Sequence, residues 1–411
     1  MTRNDRDAPR DMARTMGFAA LLLAVSALLS RVLGFAREIV ISTVHGATAA
    51  TDAYHAAFTL PELMNYFLAG GTLSITFIPL FSSYITRGDE AGGWRLFSIV
   101  ATTMGGVLLV FTVLAEVFAP HLVPLVAPGF EDPELVELTV SMTRIVLPAQ
   151  LMFYVGGLIN ATLFARKIFW PAALAPLLYN ACIIAGGLVL APWWGIQGFS
   201  VGVVLGAFFG QVVVPVYAVR ETIRYRPIIA WRDPGFVKYL WLTLPLMLGA
   251  TLLTVDEWLL RVLGSMHERG AITWLNQGRK LMMVLFAVIG QAAGQAALPF
   301  LTQKFHEGKG EELGAVLTES LQRVLFLASG ASLWLMTIAE PLVFTVFHHG
   351  AFTTDDAAMT SDLLVAFSFG LTAWAAQSLL VRGFYARQDT LTPMVLGTLG
   401  LALSLPIYVV L

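Results

Sequence analysis

Charge is scarce in this chain and cysteine almost absent. Only 13% of the residues are charged, against about 25% in soluble domains. Hydrophobic residues make up 57% and the mean hydropathy is +0.74, which together exclude an ordinary soluble protein and place the chain in lipid. The single cysteine, Cys182, excludes an intrachain disulfide and reads as helix-packing filler. No G-x-x-x-x-G-K-[ST] motif and no soluble nucleotide domain is present, so the sequence gives no sign of an ATP-driven machine. Catalysis is equally unsupported: there is no HExxH and no serine in a nucleophile elbow. The seven histidines are scattered apart from His348 and His349. That pair lies in an outer loop, where a polar loop explains it as well as a metal ligand does, and neither metal nor cofactor is expected.

What is there instead is a succession of apolar segments. A spanning helix needs about 20 mostly apolar residues, and eleven segments qualify, at about 16–44, 50–84, 94–119, 135–165, 169–191, 198–219, 236–264, 271–303, 313–346, 357–385 and 390–411. The first is no cleavable signal peptide, because no A-x-A-like site ends it and equally apolar segments follow for the rest of the chain. The connections, such as TRGDEAGG, APGFEDPE and FHHGAFTTDD, are short and turn-like. The expected fold is therefore an all-α, polytopic membrane protein.

Basic residues orient it. With Arg3, Arg6, Arg10 and Arg14 in the cytoplasm, 17 of the 25 basic residues fall on the inner side, and the outer loops hold only Arg269. The other seven, Arg31, Arg37, Arg144, Arg261, Arg279, Lys280 and Arg323, lie inside apolar segments.

The chain also repeats itself. GLINATLFARKIFWP, from Gly157, resembles AQSLLVRGFYARQDTLTP, from Ala376, and Arg166 and Arg387 are 221 residues apart. Both copies end even-numbered helices, so the repeats share one topology. This predicts two six-helix lobes in pseudo-twofold arrangement about a central cavity, residues 1–226 and 227–411. The second lobe is expected to be incomplete, since a full copy would run to about residue 447 by that interval. Two lobes about a central axis are the architecture of a secondary transporter, with its substrate site near the bilayer midplane.

Arg31 lies 14 residues past Gly17, about 21 Å along a helix at 1.5 Å per residue. An ionised group at that depth is costly unless it faces a wet cavity or a partner. Glu38, seven residues on and nearly on the same face, is one partner within reach. Arg37 lies nearer the outer end, where snorkelling also accounts for it. Arg279, in WLNQGRKLMMVLF, brings a guanidinium from the second lobe. Guanidinium groups from both lobes lining one water-filled cleft would suit phosphate oxygens. Asp256, an intramembrane carboxylate in LLTVDEWLL, and Asp389, opening the eleventh helix, are the candidates for coupling to a cation such as Na or H; a plain bridge between Asp256 and Arg261 is the alternative. Gly198, Gly202, Gly206 and Gly210 recur every four residues, as do Gly290 and Gly294, a spacing that lets helices approach closely.

SRVLGFARE, ATDAYHAAFTLPELMNYFLAGGTLSITFIPL, APGF, FHHGAFTTDDAAMT and GFYARQDTLTP together resemble the MurJ (MviN) lipid II flippases of the multidrug/oligosaccharidyl-lipid/polysaccharide exporter superfamily. The resemblance covers nearly the whole chain in order. It implies a bacterial inner-membrane protein, N-terminus cytoplasmic, that moves an undecaprenyl-diphosphate-linked peptidoglycan precursor outward by alternating access, driven by a coupling cation or the membrane potential. By the same resemblance Arg31, Arg37 and Arg279 are expected to hold the diphosphate, and Asp52 matches the acidic residue opening the second helix. The expected partners are the lipid-linked glycan, membrane lipids and cell-wall synthesis proteins, with no nucleic acid. The chain departs from the family after the LP of the second helix, where basic residues and an acidic residue with glycine are common. It has Asn65, Tyr66 and Gly70 there, so one expected cationic contact is absent. The competing functions are a cation-coupled drug or polysaccharide exporter of the same superfamily and a non-transporting scaffold for cell-wall synthesis.

Overall fold

The computed structural model describes residues 4–68, 76–252, 255–389 and 391–410, with the side chains of 4–16, 19, 66–68, 245–252, 255–256 and 405–410 outside the description. Every element among them is helical. Eight helical segments are long and apolar enough to cross a membrane, at 20–45, 90–126, 133–165, 170–194, 197–219, 271–306, 310–347 and 354–386. Each coincides with an expected span. The other three expected spans, 50–84, 236–264 and 390–411, include residues outside the description.

Two compact units emerge, one of Met1–Ile41 with Ala53–Val262, the other of Ser42–Asp52 with Leu263–Leu411. The first unit contains most of α1 (Asn4–His45) and α2 (Ala49–Ala57), then α3 (Thr59–Leu68), α4 (Ile78–Thr86), α5 (Glu90–Val126), α6 (Pro133–Val146), α7 (Ala149–Ala165), α8 (Trp170–Trp194), α9 (Gln197–Ala207), α10 (Val214–Val219), α11 (Pro234–Leu252) and most of α12 (Val255–Ser265). Its core is aromatic: Phe77, Phe81, Trp94, Phe97, Tyr154, Phe236 and Tyr239 are all buried together. The Tyr154 hydroxyl donates to the Val100 carbonyl at 2.9 Å, which satisfies the one polar atom that ring carries inward.

Along α9 and the π-helical turn that follows it (Phe208–Val213) the glycine stripe does what its spacing predicts. A Cβ on Gly202 would lie 2.7 Å from the Cys182 carbonyl oxygen and 2.7 Å from the Ile183 Cα. One on Gly206 would lie 2.7 Å from the Tyr179 oxygen, and one on Gly210 2.7 Å from that of Ala175. Without hydrogens-only side chains at these positions α8 and α9 would have to part.

The second unit is built on α13 (Ala271–Phe286), α14 (Ala292–His306), α15 (Gly310–Phe347), α16 (Thr354–Ala386) and α17 (Leu391–Val410). Val324 and Ala328 of α15 pack on Ala375 and Leu379 of α16. Gly290 approaches α16 in the same manner, its would-be Cβ 3.0 Å from the Ala375 Cα.

The internal repeat extends well beyond the two matching motifs. Helices end at Val126 and Phe347, start at Pro133 and Thr354, end at Ala165 and Ala386, and start again at Trp170 and Leu391, each pair 221 residues apart. After Ala165 and Ala386 the chain makes the same helix-ending turn. Lys167 (φ 62°) and Gln388 (φ 61°) both adopt the left-handed conformation, and Ile168 and Asp389 donate back to the carbonyls of Leu163 and Phe384 at 2.9 and 3.0 Å. One difference interrupts the correspondence. Pro148 separates α6 from α7, because its nitrogen has no hydrogen to donate; its counterpart, Phe369, lets α16 run on unbroken.

Candidate functional site

The nine residues SRVLGFARE lie on α1 in the first unit, and one of their faces is set against α8. Ser30, Gly34 and Arg37, spaced by four and three, share that face. All three meet Asn180. Its amide donates to the Ser30 carbonyl and hydroxyl, both at 3.4 Å, and to the Pro176 carbonyl at 3.1 Å, while its oxygen accepts from Arg37 Nη1 at 3.2 Å. Gly34 faces the same amide, and a Cβ there would lie 3.7 Å from the Asn180 oxygen, an ordinary contact.

The rest of the Arg37 guanidinium goes to the neighbouring residue. Nη2 donates to Glu38 Oε1 at 2.6 Å and Nε to the same oxygen at 3.2 Å. Glu38 is 3% exposed and Arg37 22%. Arg37 therefore does not snorkel to a surface; it turns inward and is fixed by two helices. Nor is Glu38 the partner of Arg31. The i, i+7 relation places those two residues on one helix face but nearly 11 Å apart along it by the helical rise, whereas Arg37 is adjacent. Arg31 is exposed, on a face about 120° from that of Arg37, and makes no hydrogen bond or ion pair among the described residues.

Asp52 and Arg279 belong to the second unit. Asp52 is 2% exposed and both its oxygens are occupied. Oδ2 accepts the Gly270 N–H at 2.6 Å; Oδ1 accepts the Thr273 N–H at 2.8 Å and the Thr273 hydroxyl at 2.7 Å. A carboxylate so placed caps the first turn of α13 and complements the positive end of its dipole. Gly270 must be glycine: it has φ +99°, and a Cβ would lie 2.6 Å from the Ala47 oxygen. Gln277 donates to the Ser42 hydroxyl at 3.0 Å and the Trp274 indole to Asp356 at 2.9 Å, fixing the next turns. The helix held this way carries Arg279, half-buried, with its guanidinium 5.6 Å from the centre of the Trp374 ring. The geometry thus gives Asp52 a positioning part, through the helix that presents Arg279.

Of the cation-coupling candidates, the Asp256 side chain lies outside the described residues. The guanidinium of Arg261, its alternative partner, is bound to Glu62 Oε2 at 2.6 Å and to the Thr59 hydroxyl at 3.1 Å. Asp389 caps α17, its Oδ1 accepting the Thr392 N–H at 3.0 Å, which holds its carboxyl below the usual range. His348 meets the Thr354 hydroxyl at 3.3 Å, and no group of three His, Cys, Asp or Glu among the described residues is placed to hold a metal.

Asn180, Glu62 and Trp374 escaped the reading of the sequence. Asn180 had a signal, a lone amide in the apolar run WPAALAPLLYNACIIAGGLV. Glu62 and Trp374 had none beyond their chemistry.

Long apolar helices and an internal repeat define a class, the all-helical polytopic membrane proteins. A solved MATE-family multidrug-resistance transporter of the MOP superfamily, in an inward-facing conformation, has this fold: its TM-score is 0.65 at 15% identity, over 95% of this chain and 98% of that one. Within the class the chain belongs to the MurJ family, whose profile, described as Lipid II flippase MurJ, matches residues 41–411. It is 29% identical to the lipid II flippase MurJ of Burkholderia cenocepacia over 92% of this chain and 75% of that one. To the probable lipid II flippase MurJ of Haemophilus influenzae it is 27% identical, over 91% and 76%. A solved lipid II flippase MurJ in an inward closed conformation superposes with a TM-score of 0.77 at 21% identity, over 92% of this chain and 78% of that chain.

Proposed function

We propose that this protein is a lipid II flippase of the bacterial inner membrane, a secondary transporter that carries the undecaprenyl-diphosphate-linked peptidoglycan precursor from the inner to the outer leaflet by alternating access. Membership of the MurJ family supports the substrate class. The observation that carries the mechanism is Arg37, a guanidinium turned inward from an apolar helix and fixed by Glu38 and Asn180. These contacts orient the guanidinium and leave one N–H each on Nη1 and Nη2, so a phosphate oxygen meets an oriented donor. Arg31, exposed on α1, and Arg279, near the Trp374 ring on α13, are further cationic side chains. The N-terminus is cytoplasmic on the distribution of basic residues. Energy comes from a cation, Na or H, bound at Asp256, or from the membrane potential; Asp389 is committed to capping α17.

The test is survival of cells depleted of their own lipid II flippase, with membrane levels of each variant measured alongside. Arg31→Ala is expected to abolish rescue at normal abundance. Arg31→Lys should rescue partly, because an ammonium keeps the charge and loses the fork. Arg323→Ala, which alters an exposed pair with Glu319 on α15, should rescue fully. Full rescue by Arg31→Ala would refute the anion-binding role.

A further inference from the structure

Within the first unit a second guanidinium is buried and only half used. Arg261 of α12 is 12% exposed, and both of its contacts, to Glu62 Oε2 at 2.6 Å and to Thr59 Oγ1 at 3.1 Å, run through Nη1. Its Nη2 and Nε have no acceptor among the described residues. Arg37, by contrast, has all three nitrogens engaged. Arg261 borders a small cavity lined also by Thr59, Glu62, Leu63, Glu257 and Trp258. The Trp258 indole nitrogen is buried with no hydrogen-bond partner among the described residues. A guanidinium with N–H groups to spare beside a cavity is a place for an acceptor ligand.

This cavity is not remote from the Arg37 cluster. Tyr54 and Tyr179 each lie within electrostatic range of both Arg37 and Glu62. Both tyrosines thus sit in the field of Arg37 and of Glu62, the partner of Arg261. It also meets the departure noted in the second helix. Glu62 stands in the segment LPELMNYFLAGG, which has Asn65 and Tyr66 and no basic residue, and Arg261 brings a cation to that segment from a different helix.

We propose that Arg261 is a substrate-binding residue that donates from Nη2 and Nε to a phosphoryl oxygen of the lipid-linked diphosphate, with the Trp258 indole as a neutral second donor. Glu62 and Thr59 keep the guanidinium in place when the substrate is absent. With Arg37 the unit then offers two cationic points, which suits a diphosphate better than a monophosphate. The inference rests on the reading of this protein as a carrier of polyprenyl diphosphates.

The experiment measures binding of undecaprenyl diphosphate and undecaprenyl monophosphate to the purified protein in lipid nanodiscs, with a melting curve for every variant. Arg261→Lys keeps the charge and the pairing with Glu62 but lacks the free edge, so it should bind the diphosphate about tenfold more weakly while melting as the parent does. Arg261→Ala should lose at least as much. Monophosphate binding should change less than about threefold in both, within the spread of a single exposed contact. Glu62→Gln should tighten diphosphate binding, and should have no effect in the Arg261→Ala background. Parent-like diphosphate binding by both Arg261 variants, or equal losses for the two lipids, would overturn the proposal. If Arg37→Ala weakens diphosphate binding while the Arg261 variants do not, only this inference fails. If the parent protein binds neither lipid, the flippase reading fails with it.

Discussion

Removing the carboxylate of Asp52 separates its positioning part from direct contact with substrate. In Asp52→Ala the buried N–H groups of Gly270 and Thr273 lose their acceptor, as does the Thr273 hydroxyl. The hydroxyl can turn to another carbonyl, but the two amides cannot. At about 1–3 kcal/mol for each buried donor left unmade, and with the helix cap lost as well, the expected cost is about 3–5 kcal/mol. For a unit the size of the second one, that corresponds to a melting point lower by about 10 °C. Asp52→Asn is the informative variant. Its oxygen still serves Thr273, while its NH2 faces the Gly270 N–H, so one donor rather than three is stranded and the loss should be about 1–3 kcal/mol. Thermal melts of the solubilised protein, read beside rescue of flippase-depleted cells, decide the matter. Both variants should lose transport in step with lost stability, Asp52→Ala more than Asp52→Asn. An Asp52→Asn protein that melts like the parent and transports nothing would refute this reasoning and make Asp52 a substrate contact.

Two further outcomes follow from the backbone. Gly202→Ala puts a methyl 2.7 Å from the backbone of α8, where no flexible side chain can yield, so membrane abundance and melting point should both fall, by about 1–3 kcal/mol of stability. Gly106→Ala, in the interior of α5 with nothing within 4 Å of its would-be Cβ, should keep abundance and raise the melting point slightly, by about 0.5–1 kcal/mol of stability. Lys167→Gly and Gln388→Gly should each stabilise the protein by up to about 1 kcal/mol, because both replace a side-chain-bearing residue at φ near +60°; a lower melting point in either would show that its side chain contributes more than its backbone strain costs.

The spans were legible because the requirement for about 20 apolar residues is a property of linear sequence. The repeat was legible for a similar reason, and its interval, read from Arg166 and Arg387 alone, turns out to govern four helix boundaries. Partners were harder. Arg37 and Glu38 are adjacent, and the reach of a guanidinium back along its own helix decided their pairing against the same-face relation of Arg31 and Glu38. Asn180 and Glu62 come to their arginines from distant helices, 143 residues away in the first case, and no periodicity records which side chain a neighbouring helix will present. Asp52 entered through the family resemblance, as the acidic residue opening the second helix, and that resemblance does not reveal the helix it caps.

The one break in the repeat bears on mechanics. α16 is an uninterrupted rod of 33 residues, about 50 Å long, so a tilt imposed at one end must reappear at the other. Its counterpart is jointed at Pro148, where the missing amide hydrogen removes one link of the hydrogen-bonded ladder. There a push on α7 need not be felt by α6. Two copies of one ancestral segment have thus come to differ in stiffness through the exchange of a proline and a phenylalanine, and a load shared between them would bend the first copy while it merely turns the second.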